Sequence, residues 1–286
     1  MPMQPMGPVI VGVDGSLASL AAVDLAADEA AGRVTPLVVV HAHDEPTKDG
    51  SPGRASLHAR NDILAVAVAR ARSEHPCLSV SGALVLGEPV EVLLSHSRDA
   101  CLLVVGHRGH YGVREQPVGA VVSQVIRQAE IPVVVHRPLD TSISVVQPRP
   151  VLVGIDDPAG SDSVVEFGFT EASLRGAPLR AMHVWSESDA LSADLNPDER
   201  DFDHAQREAD RMLCEALVGW SEKYPDVRIH RTIRHSLDVT IALMAASRSA
   251  QLAVVGSTRN PGPIRASVSH ALVHRAGCPV AVIRAR

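Results

Sequence analysis

A glycine-rich stretch in the first half of the chain carries the clearest chemical signal. The run "VVGHRGHYGVREQPVGAVVSQ", residues 104–124, joins an apolar segment to a helix-like segment through glycines at positions 106, 109, 112 and 119. In a strand–loop–helix arrangement, unpaired backbone N–H groups and the positive end of the helix dipole converge on one concavity. Glycines let the backbone approach a ligand closely. The pattern therefore favours a phosphate-binding loop.

The same stretch also fits a purely structural turn, in which Gly106 and Gly109 only lead the chain from strand to helix. It is not a Walker A loop, because that motif requires G-K-[ST] and neither of the two lysines lies near the glycines. The positive charge that neutralises a bound phosphate would therefore come from Arg108, Arg114 or a metal ion.

Other residues that could bind metal give weaker signals. His107 and His110 lie three residues apart, but no cysteine or carboxylate follows at ligand spacing, so we expect solvated or phosphate-facing imidazoles and no metal site. The four cysteines are widely spaced and form no C-x-x-C motif. Buried thiols in a reducing compartment are the simplest interpretation.

The chain repeats itself once. A shift of 142 residues aligns "VIVGVDGSLAS" with "VLVGIDDPAGS", so that Gly12 falls on Gly154, Asp14 on Asp156 and His41 on His183. A length of 286 residues also indicates two domains. We place them at residues 1–140 and 149–286, joined by the proline-rich segment 136–150, whose "SISVV" is either an added edge strand or a linker.

Apolar runs alternate with helix-like segments in both halves. The strands are predicted at 8–13, 36–41, 80–86, 101–105 and 131–136, then at 150–155, 178–185, 227–233, 252–256 and 279–284. The helices are predicted near 17–31, 54–74, 89–99 and 119–129, then near 161–175, 198–223, 238–249 and 267–276. Each half is therefore predicted to be a doubly wound, Rossmann-like parallel α/β sheet with a ligand site beyond the carboxyl ends of its strands.

Composition excludes several classes of partner. The formal net charge is −6 and aromatic residues make up 2% of the chain, which argues against nucleic acid. The start has no signal-peptide pattern, and no apolar run approaches the roughly 18 residues of a membrane span, so we expect a cytoplasmic protein. The acidic segment 187–203 is either a solvated loop or a surface that docks a partner.

The order of these motifs resembles the universal stress protein family. The first half has "VGVDGS", "VVVHA", the G-x-x-G loop and "IPVVVH", and the second half has "VGID", "MHVW", "SVSHAL" and "GCPVAVI". The likeness covers nearly the whole chain in two tandem copies and is closest to the two-domain, actinobacterial type. It implies that ATP or a related adenine nucleotide, alone or with Mg²⁺, binds in some members and that others bind no nucleotide.

In the first half, the resemblance places the phosphate-contacting glycines on Gly106, Gly109 and Gly119, with Arg108 within the loop. The hydroxyl residue that follows in the family falls on Ala120, and the second serine of its S-x-S falls on Val122. In the "VGVDGS" motif, Gly12 precedes Asp14, which is implied to lie near adenine or ribose. The alternative is that Asp14, or its competitor Ser16, caps the next helix. The backbone of Ala42 is implied to meet the adenine edge.

In the second half, the weaker candidates are Asp156, Val184, Gly256, Ser267 and Ser269, and a helix cap is the favoured role of Asp156. Arg259 stands in place of Gly109 and Ala266 in place of Gly119. Because a side chain in the phosphate concavity excludes the ligand, whereas a lost hydroxyl costs only about 0.5–1.5 kcal/mol, the first half is the better candidate site.

Three functions remain open at this point. The first is a regulatory ATP-binding protein of the stress response, with its site in the first half. The second is a nucleotide-free interaction or scaffold module in which both sites are degenerate. An enzyme ranks last, because no catalytic residues are recognisable, and at most slow ATP hydrolysis is expected. We further expect the two halves to pair within the chain and whole chains to form a homodimer.

Overall fold

The structure is a computed structural model and describes residues 7–43, 54–109, 119–142, 144, 148–157, 160–185, 199–257 and 265–284. The chain divides into two compact units, Met1–Arg137 and Pro138–Arg286. Each unit is a doubly wound parallel α/β domain, which confirms the predicted fold class.

Unit 1 alternates five strands with four helices. In chain order they are β1 (Val9–Gly12), α1 (Leu17–Arg33), β2 (Leu37–His43), α2 (Arg54–Glu74), β3 (Val80–Leu86), α3 (Pro89–Ser97), β4 (Leu102–Gly106), α4 (Ala120–Gln128) and β5 (Val133–His136). The strands pair in the order β3-β2-β1-β4-β5, and every pair is parallel. The order reverses between β1 and β4, which is where such sheets bind ligands, beyond the carboxyl ends of their strands.

Unit 2 repeats this arrangement. Its elements are β6 (Val151–Gly154), α5 (Asp162–Leu174), β7 (Leu179–Trp185), α6 (Glu199–Ala216), α7 (Trp220–Lys223), β8 (Ile229–His235), α8 (Val239–Ser247), β9 (Leu252–Ser257), α9 (Arg265–Arg275) and β10 (Val280–Arg284). The strand order is β8-β7-β6-β9-β10, again all parallel. The switch point of unit 2 therefore lies between β6 and β9.

One predicted helix of unit 2 is wrong in extent. The sequence predicts a single helix over 198–223, but the structure ends α6 at Ala216 and starts α7 at Trp220. Gly219 lies between them with φ of +78°, a left-handed conformation that interrupts an α-helix and that glycine adopts without steric cost.

Small residues let the first helix of unit 1 lie close to its sheet. Ala22, Ala26 and Ala30 of α1 are fully buried at helical spacing. The closest approach is at the end of β4, where a Cβ on Gly106 would lie 2.7 Å from the carbonyl oxygen of Ala18. Gly106 is therefore required for packing against the backbone of α1, whether or not a ligand binds.

The segment that follows unit 1 is held by polar contacts within unit 2. The Asp140 amide donates to the Gly277 carbonyl at 2.6 Å, and Arg248 Nε lies 2.6 Å from Asp140 Oδ2. Hydrogen bonds from Ser142 and Arg248 hold the pKa of the Asp140 carboxyl well below its usual range. Residues from Pro138 onward thus group with unit 2, so the division between the units falls within the segment 136–150. The "SISVV" segment, residues 142–146, lies mostly outside the described residues.

Within the described residues, no helix is long and apolar enough to cross a membrane. The two longest helices, α2 and α6, carry charged residues near both of their ends.

Gly106→Ala tests the packing of α1 against β4. Its Cβ would meet backbone atoms that cannot move aside, so we expect a loss of about 1–3 kcal/mol in the free energy of unfolding of unit 1. Gly256→Ala is the matched control, because its Cβ would meet only the Val164 side chain, at 3.3 Å. Urea denaturation followed by circular dichroism measures both. Equal effects of the two variants would contradict the packing role of Gly106.

Candidate functional site

The end of β1 is held by a buried histidine. His41 Nδ1 donates to the carbonyl oxygen of Val13 at 2.7 Å, and the Val13 amide donates to Val40 at 2.9 Å. In unit 2, His183 Nδ1 donates to Ile155 at 2.8 Å. Since Asp14 and Asp156 directly follow these carbonyls, the same contact positions the loop aspartate in both units.

Asp14 does not cap α1. The N-cap is Ser16, whose Oγ accepts from the Ser19 amide at 3.1 Å, while Asp14 Oδ1 accepts from the Ser16 amide at 3.0 Å. The alternative of a cap role for Asp14 is therefore wrong. Its carboxylate instead faces the glycine loop, because a Cβ on Gly109 would lie 2.8 Å from Asp14 Oδ2.

The loop glycines converge at the start of α4. The Gly119 amide donates to the His107 carbonyl at 3.2 Å, and a Cβ on Gly119 would lie 3.8 Å from the Gly109 nitrogen. Gly119 is the N-cap of α4 and makes no side-chain capping bond, so the first helical amides, beginning with Ala120, have no side-chain cap. This brings Gly109, Gly119 and the helix N-terminus together, an arrangement that backbone anion sites share.

Arg108 and the residues around it complete the described part of the loop. Arg108 is exposed, and its carbonyl accepts from Ser16 Oγ at 3.4 Å. His110, Gly112 and Arg114 lie outside the described residues. No group of three or more metal-binding side chains occurs in the part of the chain that the structure describes.

Ala42 lies on the part of β2 that extends past β1. The β1–β2 register ends at Gly12 and Val40, whereas β2 continues beside β3 to His43. Ala42 is half-buried there. Gly12, the other candidate residue at this end of the sheet, lies against α3, since a Cβ on it would lie 2.9 Å from Leu93. Its lack of a side chain thus serves packing.

Sequence reasoning missed Arg60 of α2. Its Nη1 lies 2.9 Å from His43 Nδ1, at the carboxyl end of β2. Ile63, one turn further along α2, lies 3.0 Å from where Gly15 would carry a Cβ. The start of α2 therefore contributes a cation and an apolar side chain close to the Asp14 loop. Nothing in the sequence distinguishes Arg60 from the other arginines of this helix.

The end of β7 in unit 2, which corresponds to the end of β2, has different neighbours. Trp185 ends β7 and is 5% exposed, with ring centroids 5.0 Å from Phe202 and 4.5 Å from His235. Val184, which matches Ala42, is buried. An aromatic cluster therefore stands where unit 1 has the polar His43–Arg60 pair.

Within the described residues, the other candidate ligand-binding residues of unit 2 do not converge on one site. Gly256 is exposed and meets only the Val164 side chain, so the close helix contact of Gly106 is absent there. Asp156 is exposed and does not cap α5, whose N-cap is Ser161, so its favoured cap role is wrong. Ser269 is buried. The Ser267 side chain and all of Arg259 lie outside the described residues.

Two histidines at the ends of β4 and β5 are held neutral. Burial, followed by the positive charge of Arg137, lowers the pKa of His107 to about 4. The His136 carbonyl accepts from His107 Nδ1 at 3.1 Å, which opposes the shift in part. Burial also lowers the pKa of His136. Near neutral pH His107 thus brings no positive charge to the loop.

The fold and the loop together define a tandem α/β protein of the Rossmann-like type, with a glycine-rich loop at one switch point. The universal stress protein family model matches residues 6–137 and again 148–284. The chain therefore belongs to the universal stress protein family, in its tandem form, which confirms the resemblance.

Relatives of the same length support this assignment. Universal stress protein Rv2005c of Mycobacterium tuberculosis is 37% identical over 289 residues, covering 96% of each chain. Universal stress protein Rv2623 of the same organism is 34% identical over 291 residues, also covering 96% of each. The crystal structure of a universal stress protein from Archaeoglobus fulgidus superposes with a TM-score of 0.68 at 16% identity over 98% of each chain, which shows a shared fold.

His107→Asn tests the neutral histidine. Since the folded pKa of about 4 lies below the ordinary value of 6.5, the unfolded state takes up a proton first, and stability should fall as the pH drops from about 6.5 to about 4. Asparagine keeps the donor to the His136 carbonyl but does not titrate, so the decline should become shallower. Urea unfolding at pH 8, 6 and 4.5 measures this, with pH 8 as the internal control. An unchanged pH dependence would contradict a depressed pKa.

Proposed function

We propose that the protein is a regulatory adenine-nucleotide-binding protein that binds one ATP per chain, in unit 1. The observation that carries the proposal is the convergence of Asp14, Gly109 and Gly119 at the uncapped N-terminus of α4. Backbone amides would bind the phosphates there, and the helix dipole would stabilise their charge.

The proposal assigns separate parts of the ligand to separate groups. Gly109 and Gly119 leave room for the phosphates, and the amide of Ala120 donates to them, since the Gly119 amide already donates to the His107 carbonyl. Exposed Arg108, alone or with Mg²⁺, supplies positive charge. The Asp14 carboxylate accepts from ribose hydroxyls, and the backbone of Ala42 pairs with the adenine edge. Gly106 and Gly12 support the site through packing against α1 and α3.

The contrast between the units supports unit 1 as the site. At the end of its second strand, unit 1 offers a half-buried Ala42 beside polar His43 and Arg60. Unit 2 offers a buried Val184 beside the rings of Trp185, Phe202 and His235. An adenine base needs an accessible backbone edge, and packed rings at the end of the strand restrict that access.

The competing function is a nucleotide-free interaction module. It predicts no heat and no thermal shift with any adenine nucleotide, and it would also make the acidic segment 187–203 a candidate docking surface. Under both functions, pairing of the two units within the chain stays a prediction from the apolar closing strands "IPVVVHR" and "CPVAVIRAR", and homodimer formation stays a prediction of the family resemblance.

Gly109→Asp should abolish ATP binding. Its Cβ would collide with Asp14 Oδ2, and its carboxylate would add negative charge where the phosphates are proposed to bind. In the wild type, ATP at 100 times its Kd should add about 2.7 kcal/mol of stability. This should raise the Tm of the binding unit by several degrees, at about 4–8 °C per kcal/mol for a small domain. Differential scanning fluorimetry and isothermal titration calorimetry measure the loss.

Arg259→Asp and Arg259→Ala are the matched controls, because residue 259 aligns with Gly109 in unit 2. Both should bind ATP as the wild type does. Two sites per chain by calorimetry, or full affinity in Gly109→Asp, would overturn the assignment to unit 1.

Ala120→Ser should tighten ATP binding. Residue 120 begins α4, where the family places a hydroxyl, so serine would add one donor to the cradle. A hydrogen bond of this kind contributes up to about 1 kcal/mol, or roughly a five-fold lower Kd. Titration calorimetry of both proteins at one Mg²⁺ concentration measures it. Unchanged or weaker binding would show that the phosphates do not contact this position.

A further inference from the structure

Two histidines of unit 2 face each other on α9, the helix that follows β9. His270 and His274 lie four residues apart, which places their side chains on one face of the helix. Their Nε2 atoms are 3.0 Å apart, and their ring centroids are 4.1 Å apart. We propose that this pair, termed the His270–His274 pair, binds one divalent transition-metal ion, Cu²⁺ or Ni²⁺.

The distance between the two nitrogens fits simultaneous coordination of one ion. With metal–nitrogen bonds of about 2.0–2.1 Å, two donors 3.0 Å apart subtend an angle of about 90–100° at the metal. That is the angle between neighbouring ligands in tetragonal sites, which Cu²⁺ and Ni²⁺ prefer. The wider tetrahedral angle of Zn²⁺ would require the rings to separate. The distance between the two nitrogens therefore suits ions with cis positions near a right angle.

The surroundings leave room for the remaining ligands. His270 is exposed and His274 is half-buried, so water can complete the coordination shell. Among the described residues, no third histidine, cysteine or carboxylate joins the pair. His274 lies in the last turn of α9, where the negative end of the helix dipole favours a cation. Arg275 opposes this in part, since its charge lies on the next residue.

Metal binding and the contact between the two rings use the same atoms. In the absence of metal, one Nε2–H donates to the other Nε2 across 3.0 Å. To bind an ion, both imidazoles must carry their hydrogen on Nδ1, so that both Nε2 lone pairs face the metal. This is a change of tautomer and releases no proton when both rings are neutral. Protons compete with the metal for the same nitrogens, so binding weakens in acid.

The site is specific to unit 2 and separate from the proposed nucleotide site. Aligning Ser269 with Val122 places Ser123 and Arg127 of α4 at the positions of the pair. Unit 1 therefore has no equivalent donors on this helix. The pair also belongs to the unit that the proposed ATP site does not use, so failure of one proposal leaves the other standing.

The experiment titrates the metal-free full-length protein with Cu²⁺ at pH 7.5. We expect one tight ion per chain by calorimetry and two equivalent imidazole nitrogens in the pulsed electron paramagnetic resonance spectrum. His270→Gln and His274→Gln should each weaken binding about 100-fold, because the second imidazole binds intramolecularly at a high effective concentration. Ni²⁺ should give the same order of effects with a lower affinity.

The double variant His274→Ala, Arg275→His is the matched control. It keeps the number of histidines but moves the second imidazole to the i+5 position, which lies on another face of the helix. It should bind as weakly as His274→Gln. Full affinity in this variant or in the single variants, or one imidazole in the wild-type spectrum, would overturn the proposal. Circular dichroism establishes that each variant is folded, and the wild-type spectrum tests the site independently of any variant.

Discussion

In each unit, one buried hydrogen bond fixes the carboxyl end of the first strand. The proposed ligand site depends on this end of the sheet. The imidazoles of His41 and His183 donate to carbonyls that lie just past the last paired residues of β1 and β6. A buried carbonyl left without a donor costs about 1–3 kcal/mol. Since the contact persists in both units while the loops around it differ, it is a requirement of the fold. It sets the direction in which Asp14 and Asp156 leave the sheet.

The two units diverge beyond this contact. In unit 1, α1 starts so close to β4 that Gly106 meets the backbone of Ala18, and Asp14 reaches Gly109. In unit 2, the glycine at the end of β9 meets only a valine side chain, and rings pack at the end of β7. The carboxyl ends of the strands are therefore polar and lined with glycine in unit 1, whereas in unit 2 they are apolar and covered by packed rings. Under the proposed function, a loop with Arg259 in place of Gly109 and an aromatic end of the second strand would leave unit 2 without this site.

The sequence predicts the fold well, because buried parallel strands are continuous runs of valine and leucine and the order of motifs repeats. It predicts individual contacts less well. A glycine at position 106 could be needed for a ligand to approach the backbone or for a helix to pack against it, because neither leaves room for a Cβ. Only the structure shows that Gly106 packs against Ala18. Arg60 and Phe202 each meet the end of a second strand and align at the shift of 142 residues, but one is a cation and the other an aromatic residue, so the sequence does not show that they occupy the same place. The break at Gly219 depends on one backbone angle that the helical pattern around it conceals.

The position of Asp14 constrains what the proposed site can bind. Its carboxylate lies against Gly109, so a phosphate placed on that glycine would meet a like charge at short range. His107, held neutral by burial, offers no compensating charge near pH 7. The charge of the phosphates must therefore be offset by the α4 dipole at the Gly119 end of the cradle and by Arg108 or a metal ion. The Asp14 carboxylate itself then suits a hydroxyl donor. A ligand with both sugar hydroxyls and phosphates can donate to the Asp14 carboxylate and also bind at the N-terminus of α4. Inorganic phosphate can make only the second of these contacts.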